Sequence, residues 1–351
     1  MEFGMQFFPC VGPEQKSGSQ YFDECLRLVE FCDRYGWGHV RTVEHYFRAY
    51  GGYTPNPVVF LAAAAQRTKK ARLVTGAVLP VFNNPLKLAG ELGMLDAISG
   101  GRLEIGFARA FLPYEFAAFK VSVNDSRDRF TEGMEQVRLL LENDIASHQG
   151  KFHDFKDVTS LPRPTQKPRP PFWVAAISTP ESFINAGKAG HSIMGIPMAG
   201  GQMKELLDLY RKSWKDAGHP GKGRVMLAFH MFCAETRDKA FAVSRDPLNR
   251  YLQAIAAATA DWGTMSSKDY PGYDKIAAIL AKETIESQVK NGAAWIGTPA
   301  EIAAQIAEYN ERVGGFESAS LQVNFNTVSY ADAEASVKLF SEQVMPKFRA
   351  A

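Results

Sequence analysis

The stretch RLVTGAVLPVFNNPLKLAGELGMLDAISGGRLEIGFARAF, residues 72–111, decides the fold. It begins with an apolar run at 72–79 and ends with a second one at 102–108, and both runs are typical of strands. The segment between them, PLKLAGELGMLDAIS (85–99), has the composition of a helix. A strand, a helix and a second strand in this order form a βαβ unit with parallel strands. A buried parallel sheet is therefore expected.

The same alternation continues along the chain. Residues 150–171 are rich in proline and predict an extended surface connection. Eight strands, each followed by helical sequence, predict an α/β fold of the (β/α)8 TIM-barrel type, and a doubly wound open sheet is the competing arrangement. The barrel would be a single domain, 1–351, with an insertion at about 235–317 between strands 7 and 8. The predicted strands are 3–8, 38–43, 72–79, 102–108, 171–177, 191–196, 224–233 and 318–324.

The composition excludes several classes of protein. Hydrophobic residues make up 46% and charged residues 22% of the chain, which is ordinary for a globular enzyme. The net charge is +2, and no basic block interleaved with aromatic residues is present, so no nucleic-acid partner is expected. No apolar run is long enough to span a membrane, and the first ten residues lack the pattern of a signal peptide. The four cysteines have neither CxxC nor zinc spacing, which favours the reducing cytoplasm.

Polar side chains follow four of the predicted strands. In a barrel the carboxyl ends of the strands meet at one rim, and this rim carries the chemistry. Glu44 and His45 follow the second strand, in the segment EHYF, and the segment LPVFNNP follows the third. Arg109 follows the fourth strand, and Thr179 and Ser182 follow the fifth, in STPES. These side chains are therefore predicted to lie close together.

Two interpretations of the rim stay open. Thr179 can simply cap a helix, or Thr179 and Ser182 can present hydroxyls and free amides to a phosphate. Arg109 can pair with that phosphate or form a salt bridge with a rim carboxylate such as Glu115. Arg127 stands at the start of the next predicted helix, where the helix dipole disfavours a cation, so it is expected to have an anionic partner.

His45 is either a structural histidine or a group that exchanges protons near pH 7. Other chemistries find no support, because GxSxG and HExxH are absent and no GxGxxG follows the first strand. His148 and His153 form the one histidine pair with metal-like spacing, and they stand in a polar stretch typical of surface. No metal site is predicted.

Five stretches in order resemble the bacterial luciferase-like flavin monooxygenase family. EHYF is similar to the family's Glu-His-His-Phe segment, and residues 73–111 are similar to its longest stretch. The segment GKFHDFKDVTSLPRPTQKPRPPFWVAAISTPES resembles the family's proline-rich passage and phosphate loop. WIGTPAEIAAQI and LFSEQVMPKF complete the pattern near the end of the chain. The resemblance covers nearly the whole sequence.

The resemblance implies a luciferase-like TIM barrel that binds reduced FMN, supplied by a separate NAD(P)H:flavin reductase. With O₂ as co-substrate, this family forms a C4a-peroxyflavin and oxygenates a small organic molecule. An apolar or partly aromatic substrate would enter beneath the insertion, where Trp262, Tyr270 and Tyr273 can close the mouth. The same fold also serves dehydrogenases and reductases that use FMN or F420, and it includes non-catalytic flavin-binding partner subunits.

The resemblance also assigns roles to individual residues. His45 matches the histidine implicated in acid–base handling, and Gly76–Ala77 matches a non-proline cis peptide packed under the flavin ring. Phosphate contacts are implied for Arg109, Arg127, Thr179 and Ser182. The full set of expected cofactor residues is Gly76, Ala77, Ala108, Arg109, Arg127, Ala176, Thr179 and Ser182, and the expected substrate residues are Phe8, Phe111 and Glu115.

Three residues depart from the luciferase pattern. Ala108 stands in place of a cysteine beside the reactive flavin carbon, Ala110 in place of a glycine, and Tyr46 in place of the second histidine. Aldehyde luminescence is therefore not implied. The alanine-rich helical segments between 50 and 100 predict either a homodimer interface or close packing within the core.

Overall fold

The computed structural model describes residues 1–197 and 200–348. Eight parallel strands pair in the order β1-β2-β3-β4-β7-β8-β9-β11, and β11 returns to pair with β1, so the sheet closes. This confirms the (β/α)8 barrel and excludes the open sheet. The barrel strands are β1 Glu2–Phe7, β2 His39–Thr42, β3 Arg72–Thr75, β4 Leu103–Phe107, β7 Phe172–Ala175, β8 Ser192–Gly195, β9 Val225–Cys233 and β11 Ser318–Gln322.

Helices surround this barrel, and local sequence sets their ends. In α4, for example, the Asn84 side chain accepts a hydrogen bond from the Leu86 amide at 2.9 Å, Pro85 occupies the first turn, and Gly100 ends the helix at φ 67°. The helices are α1 Gly18–Val29, α2 Phe31–Tyr35, α3 Pro57–Arg67, α4 Pro85–Ser99, α5 Pro113–Ala118, α6 Ser126–Glu142, α7 Pro180–Lys188, α8 Gly200–Asp216, α9 Arg237–Thr259, α10 Ile276–Leu280, α11 Ile285–Asn291, α12 Pro299–Arg312 and α13 Tyr330–Gln343.

Three short strands lie outside the predicted eight. β5 (Ala146–His148) and β6 (Phe155–Val158) form an antiparallel hairpin partly within the proline-rich connection. β10 (Ala294–Gly297) pairs in parallel with His230–Cys233 of β9. Since β9 has nine residues and its pairing with β11 ends at His230, its last residues extend beyond the barrel and pair with β10.

The amino end of the barrel is closed by an ion-pair network centred on Glu104 of β4. The Trp173 indole donates to the Glu104 carboxylate at 2.7 Å. Arg72 lies 2.8 Å and Arg224 3.0 Å from the same carboxylate. The glutamate that interrupts the apolar run 102–108 thus stabilises the end of the barrel remote from the predicted rim, because a buried carboxylate needs partners of this kind.

The segment 235–317 lies partly over the carboxyl ends of the strands. After α9 it forms short 3-10 turns that bring Trp262, Tyr270 and Tyr273 into one apolar cluster with Leu79 and Phe116. The Trp262 indole donates to the Phe111 carbonyl at 2.7 Å, which ties this segment to the loop after β4. Among the described helices, none is both long and apolar enough to cross a bilayer.

Candidate active site

A cavity of about 490 Å³ opens at the carboxyl ends of the barrel strands. Ligand cavities in proteins span a few hundred to about a thousand Å³, so this one is large enough for a cofactor-sized molecule. The sequence placed a set of side chains at this rim, and the structure brings nearly all of them to the cavity wall. Those that line it are Phe8, His45, Gly76, Ala77, Ala108, Arg109, Phe111, Arg127, Ala176, Thr179 and Ser182.

One corner of the cavity is formed by the amino-terminal turn of α7. Thr179 is the N-cap residue of this helix, yet within the described residues its side chain accepts no capping hydrogen bond. The capping interpretation is therefore incomplete: Thr179 has the position of a cap and leaves its hydroxyl for another partner. Ser182 lies in the same turn and also lines the cavity. Two hydroxyls and the positive end of a helix dipole favour an anion here.

Two arginines line the same cavity, and one aspartate positions both. Arg109 Nη2 donates to the Asp269 carbonyl at 2.7 Å, and its guanidinium stacks 4.2 Å from the centroid of the Tyr270 ring. Arg127 Nε donates to the Asp269 carboxylate at 3.0 Å. Arg109 Nη1 is buried and has no partner among the described residues.

These contacts test the salt-bridge alternative for each arginine. Arg109 makes no salt bridge with Glu115 in the described part of the chain, and the anionic partner expected for Arg127 is Asp269. No local sequence signal marks Asp269, because it is 142 residues from Arg127 and lies in the insertion. Its role follows from the fold alone.

His45 forms a pair with Glu115 beside the cavity. His45 Nδ1 lies 3.1 Å from Glu115 Oε1, and the Tyr46 amide donates to the same oxygen at 2.9 Å. A carboxylate partner places the proton on Nδ1 and leaves Nε2 to exchange protons with a ligand. The rings of Phe8 and Phe111 pack around the imidazole, with centroids 5.7 and 5.9 Å away.

The expected role of Glu115 needs a correction. Its side chain is fully buried and does not line the cavity, so it does not contact a substrate there. It instead orients His45 through its contact with the Nδ1 atom of the imidazole. The sequence pointed to this carboxylate as a rim residue but could not show that α5 turns it inward.

Glu44 is a cavity residue whose role the sequence did not identify. It accepts hydrogen bonds from the Leu79 amide at 3.0 Å and the Asn83 side chain at 2.8 Å, and from the Tyr46 hydroxyl. Burial raises the pKa of Glu44 to about 7, and the charge of Glu115 adds to the increase, although the three donors oppose it. A carboxyl group that titrates near neutrality therefore lies next to His45.

The wall between β2 and β3 is built by a glycine and an arginine. The Gly76–Ala77 peptide bond is cis, as the resemblance implies. Arg41 Nη2 donates to the Gly76 carbonyl at 3.1 Å, and a Cβ on Gly76 would lie 1.9 Å from Arg41 Nε. Only glycine fits at this position because the guanidinium packs directly against the backbone.

Ala110 adopts a conformation that favours glycine. Its φ is 61°, and the Tyr270 hydroxyl donates to its carbonyl at 2.8 Å. The glycine of luciferase at this position thus has a structural reason, and alanine tolerates the left-handed region at a cost of about 1–2 kcal/mol. No group of three or more His, Cys, Asp or Glu side chains in residues 1–197 and 200–348 is arranged to hold a metal ion.

A closed (β/α)8 barrel with a cofactor-sized, cation-lined cavity at the carboxyl ends of its strands defines this chain as an enzyme-type TIM barrel. Comparison with known proteins makes the class specific. The sequence model of the luciferase-like monooxygenase family matches residues 1–315. The chain belongs to this family and is an oxidoreductase.

Individual relatives are similar to this chain along nearly its full length. The chain is 42% identical to monooxygenase RslO1 from Streptomyces bottropensis, with a TM-score of 0.88 over 99% of this chain and 100% of that one. It is 28% identical to the oxygenase component of the flavin-dependent trigonelline monooxygenase of Acinetobacter baylyi, over 95% of this chain and 92% of the relative. The oxygenating constituent of 3,6-diketocamphane monooxygenase of Pseudomonas putida, solved with FMN, shares the fold at 23% identity, a TM-score of 0.84 and coverage of 100% and 99%.

The raised pKa of Glu44 predicts a pH-dependent stability. Its ordinary pKa is 4.5, so between pH 4.5 and about 7 the unfolded chain releases a proton that the folded protein keeps. The contribution of Glu44 to stability therefore falls as the pH rises through this window, by up to roughly 3 kcal/mol. Denaturant unfolding at several pH values should show wild type losing stability relative to Glu44→Gln across it.

Tyr46→Phe serves as the matched variant. Because the Tyr46 hydroxyl donates to the Glu44 carboxylate, its removal should raise the pKa of Glu44 further and extend the window above pH 7. A difference between wild type and Glu44→Gln that stays constant with pH would contradict the prediction.

Proposed function

We propose that this protein is the oxygenase component of a two-component FMN-dependent monooxygenase. The observation that carries the proposal is a set of hydrogen-bond donors that line one cavity and follow the adjacent strands β4 and β7. Arg109 Nη1 is buried without a partner in the described structure, and the Thr179 hydroxyl at the start of α7 caps no amide there. Ser182 and Arg127 line the same cavity. This donor set matches a terminal phosphate in charge and hydrogen-bonding capacity.

The rest of the cavity fits a flavin. The Gly76–Ala77 backbone and Ala108 form a wall without bulky side chains, and Ala176 adds another small residue. When bound, reduced FMN supplies the electrons that activate O₂. The Acinetobacter relative is the oxygenase component of its monooxygenase, which supports a separate flavin reductase as partner. Both proteins would share the reducing cytoplasm, which suits four cysteines that are all buried and unpaired.

The residues around the reacting centre hold a proton and exclude water. His45, oriented by Glu115, would exchange a proton with the bound molecule through Nε2. Phe8 and Phe111 would contact the substrate from either side of this imidazole. Tyr270 and Tyr273 line the mouth and pack on Trp262, so they would shield the site from solvent.

The phosphate corner predicts selective binding of FMN over riboflavin. In Arg109→Met a charged donor to the phosphate is lost, and such hydrogen bonds contribute about 1.5–3 kcal/mol. FMN affinity should therefore fall roughly 10- to 100-fold, whereas riboflavin, which has no phosphate, should bind as it does to wild type. Quenching of flavin fluorescence measures both dissociation constants.

The same titration separates the cofactors. An F420-dependent secondary alcohol dehydrogenase shares the fold at 17% identity and a TM-score of 0.75, which concerns architecture alone. Binding of F420 but not FMN would contradict the proposal. So would an Arg109→Met variant that loses FMN and riboflavin affinity equally.

The oxygenase role predicts a distinctive oxidation of bound reduced FMN. In air-saturated buffer the protein-bound cofactor should return to oxidised FMN in at least two resolved steps, because the closed cavity shields it from water. His45→Ala should change the slower step by at least about 10-fold, since a positioned acid or base contributes roughly 10²–10⁴-fold. Stopped-flow absorbance of oxidised flavin measures this. Kinetics identical to those of free flavin would favour a non-catalytic flavin-binding subunit.

We also propose a homodimer through the outer face of α3 and α4. The alanines of α3 that suggested an interface are partly core, since Ala64 and Ala65 are buried. The exposed apolar side chains of these two helices are Val59, Leu86, Met94 and Ile98. A cluster of this kind marks a contact surface.

Met94→Asp is expected to convert the dimer to a monomer, because a carboxylate would be desolvated in the contact. Analytical ultracentrifugation should show twice the chain mass for wild type and the single chain mass for the variant. Ile279→Asp, at an exposed apolar residue of α10, is the control and should stay dimeric. A wild-type monomer at micromolar concentration would contradict the proposal.

A further inference from the structure

A row of polar residues crosses four adjacent strands inside the barrel. Gln6 of β1 is in register with Arg41 of β2 on one side and with Gln322 of β11 on the other. Gln322 is in turn in register with His230 of β9. In-register residues of a parallel sheet project to the same face, so these four side chains form one level of the interior. Gln6, Arg41 and Gln322 line the cavity.

Arg41 is the one cation in this row, and its charge is not balanced. Its exposed fraction is 6%, and both of its hydrogen-bond partners are neutral: Nη1 donates to Gln6 Oε1 at 2.8 Å and Nη2 to the Gly76 carbonyl at 3.1 Å. No carboxylate of the described residues lies within ion-pair distance of it, whereas the similarly buried Lys16 pairs with Glu24 at 2.6 Å. Burying an unpaired charge costs several kcal/mol.

Burial lowers the pKa of Arg41 to about 10, so the guanidinium stays charged at neutral pH. The guanidinium has five N–H groups but only two hydrogen-bond acceptors in the described structure, and Nε has no partner there. Gln322 Oε1 is likewise buried and unpartnered. The row therefore offers both charge and unused hydrogen-bonding capacity to whatever occupies the cavity.

Arg41 is independent of the phosphate corner. Arg109 and Arg127 are positioned by Asp269 of the insertion, whereas Arg41 is held from within the barrel by Gln6 and Gly76. The aromatic rings of Phe8, Tyr50 and Tyr251 pack on one another in the same cavity, with centroids 4.6–5.7 Å apart. An aromatic wall, whose rings are inclined by 51–79° to one another, thus accompanies an unpaired cation.

We infer that the organic substrate is an aromatic acid whose oxyanion pairs with Arg41, with its ring against Phe8, Tyr50 and Tyr251. The unpartnered Gln322 Oε1 would accept a hydrogen bond from a neutral donor of the substrate. This inference rests on the proposed oxygenase function and assigns the substrate class of that site. The arginine selects a carboxylate or phenolate over a neutral analogue of the same shape, because only the anion offsets the buried charge.

The test uses two probes of equal shape, 2-naphthoate and 2-naphthamide, titrated calorimetrically into FMN-loaded protein. Wild type should bind naphthoate at least 10-fold more tightly than naphthamide. Arg41→Met should lower naphthoate affinity roughly 10- to 100-fold and leave naphthamide within about twofold, which corresponds to the loss of a charged hydrogen bond. Arg41→Lys should retain part of the preference because it keeps the charge.

Arg163→Met is the matched control. Arg163 is partly buried and donates to the Leu140 and Leu141 carbonyls, and it does not line the cavity. Its substitution should leave the preference for naphthoate unchanged. Loss of the preference in this variant would overturn the assignment to Arg41.

The outcomes separate this inference from the proposed function. Wild type that fails to bind FMN contradicts the proposed function itself. Wild type that binds FMN but binds naphthoate and naphthamide equally overturns the inference alone, and this comparison holds even if Arg41→Met does not fold. An Arg41→Met variant that loses affinity for reduced FMN and keeps the preference for naphthoate also overturns it, because Arg41 would then serve an anionic flavin.

Discussion

The pairing of β11 with β1 is the contact on which the rest of the structure depends. It runs from Glu2 opposite Ser318 to Gln6 opposite Gln322, and it converts a row of parallel strands into a closed sheet without exposed edges. The Met1 amino group also donates to the Phe348 carbonyl at 2.9 Å, so both ends of the described chain meet beside this seam. Because the sheet is closed, the register of its strands determines how deep in the barrel each interior side chain lies. The positions of the functional groups follow from this register.

Charged side chains lie at different depths along the barrel, some at its amino end and others at the cavity. At the amino end, the Glu104 carboxylate neutralises Arg72 and Arg224. Beside the cavity, Glu115 is engaged with His45, and burial favours the neutral form of Glu44. Of the three arginines of the cavity, Arg127 pairs with the Asp269 carboxylate, whereas Arg41 and Arg109 have no carboxylate partner among the described residues. A nearly neutral chain thus contains a cavity that attracts anions, because net charge carries no information about where the charges lie.

The sequence predicted the barrel because the information for it is local. Apolar runs alternate with helical segments, and the helix predicted over 85–99 is observed as α4, Pro85–Ser99. The rim residues were also predictable, since strand ends converge in a barrel. What remained hidden depends on distant partners: Asp269 meets Arg127 across 142 residues, and Glu115 meets His45 across 70. The sequence HVRTV reads as a plain strand, and only closure shows that Arg41 faces the interior.

Asp269 links two features of the site, the position of the insertion and the position of the two arginines. Its carbonyl and carboxylate hold Arg109 and Arg127, and the next residue, Tyr270, stacks on Arg109 and donates to the Ala110 carbonyl. The insertion is therefore fastened to the same arginines proposed to bind the phosphate. Since Arg109 Nη1 is still unpartnered in the described structure, a phosphate can bind it without displacing the Asp269 carbonyl from Nη2. The contacts of the insertion with Arg109 and Arg127 would then persist in the cofactor-bound protein, and Tyr270 and Tyr273 would shield the cavity from water before any substrate arrives.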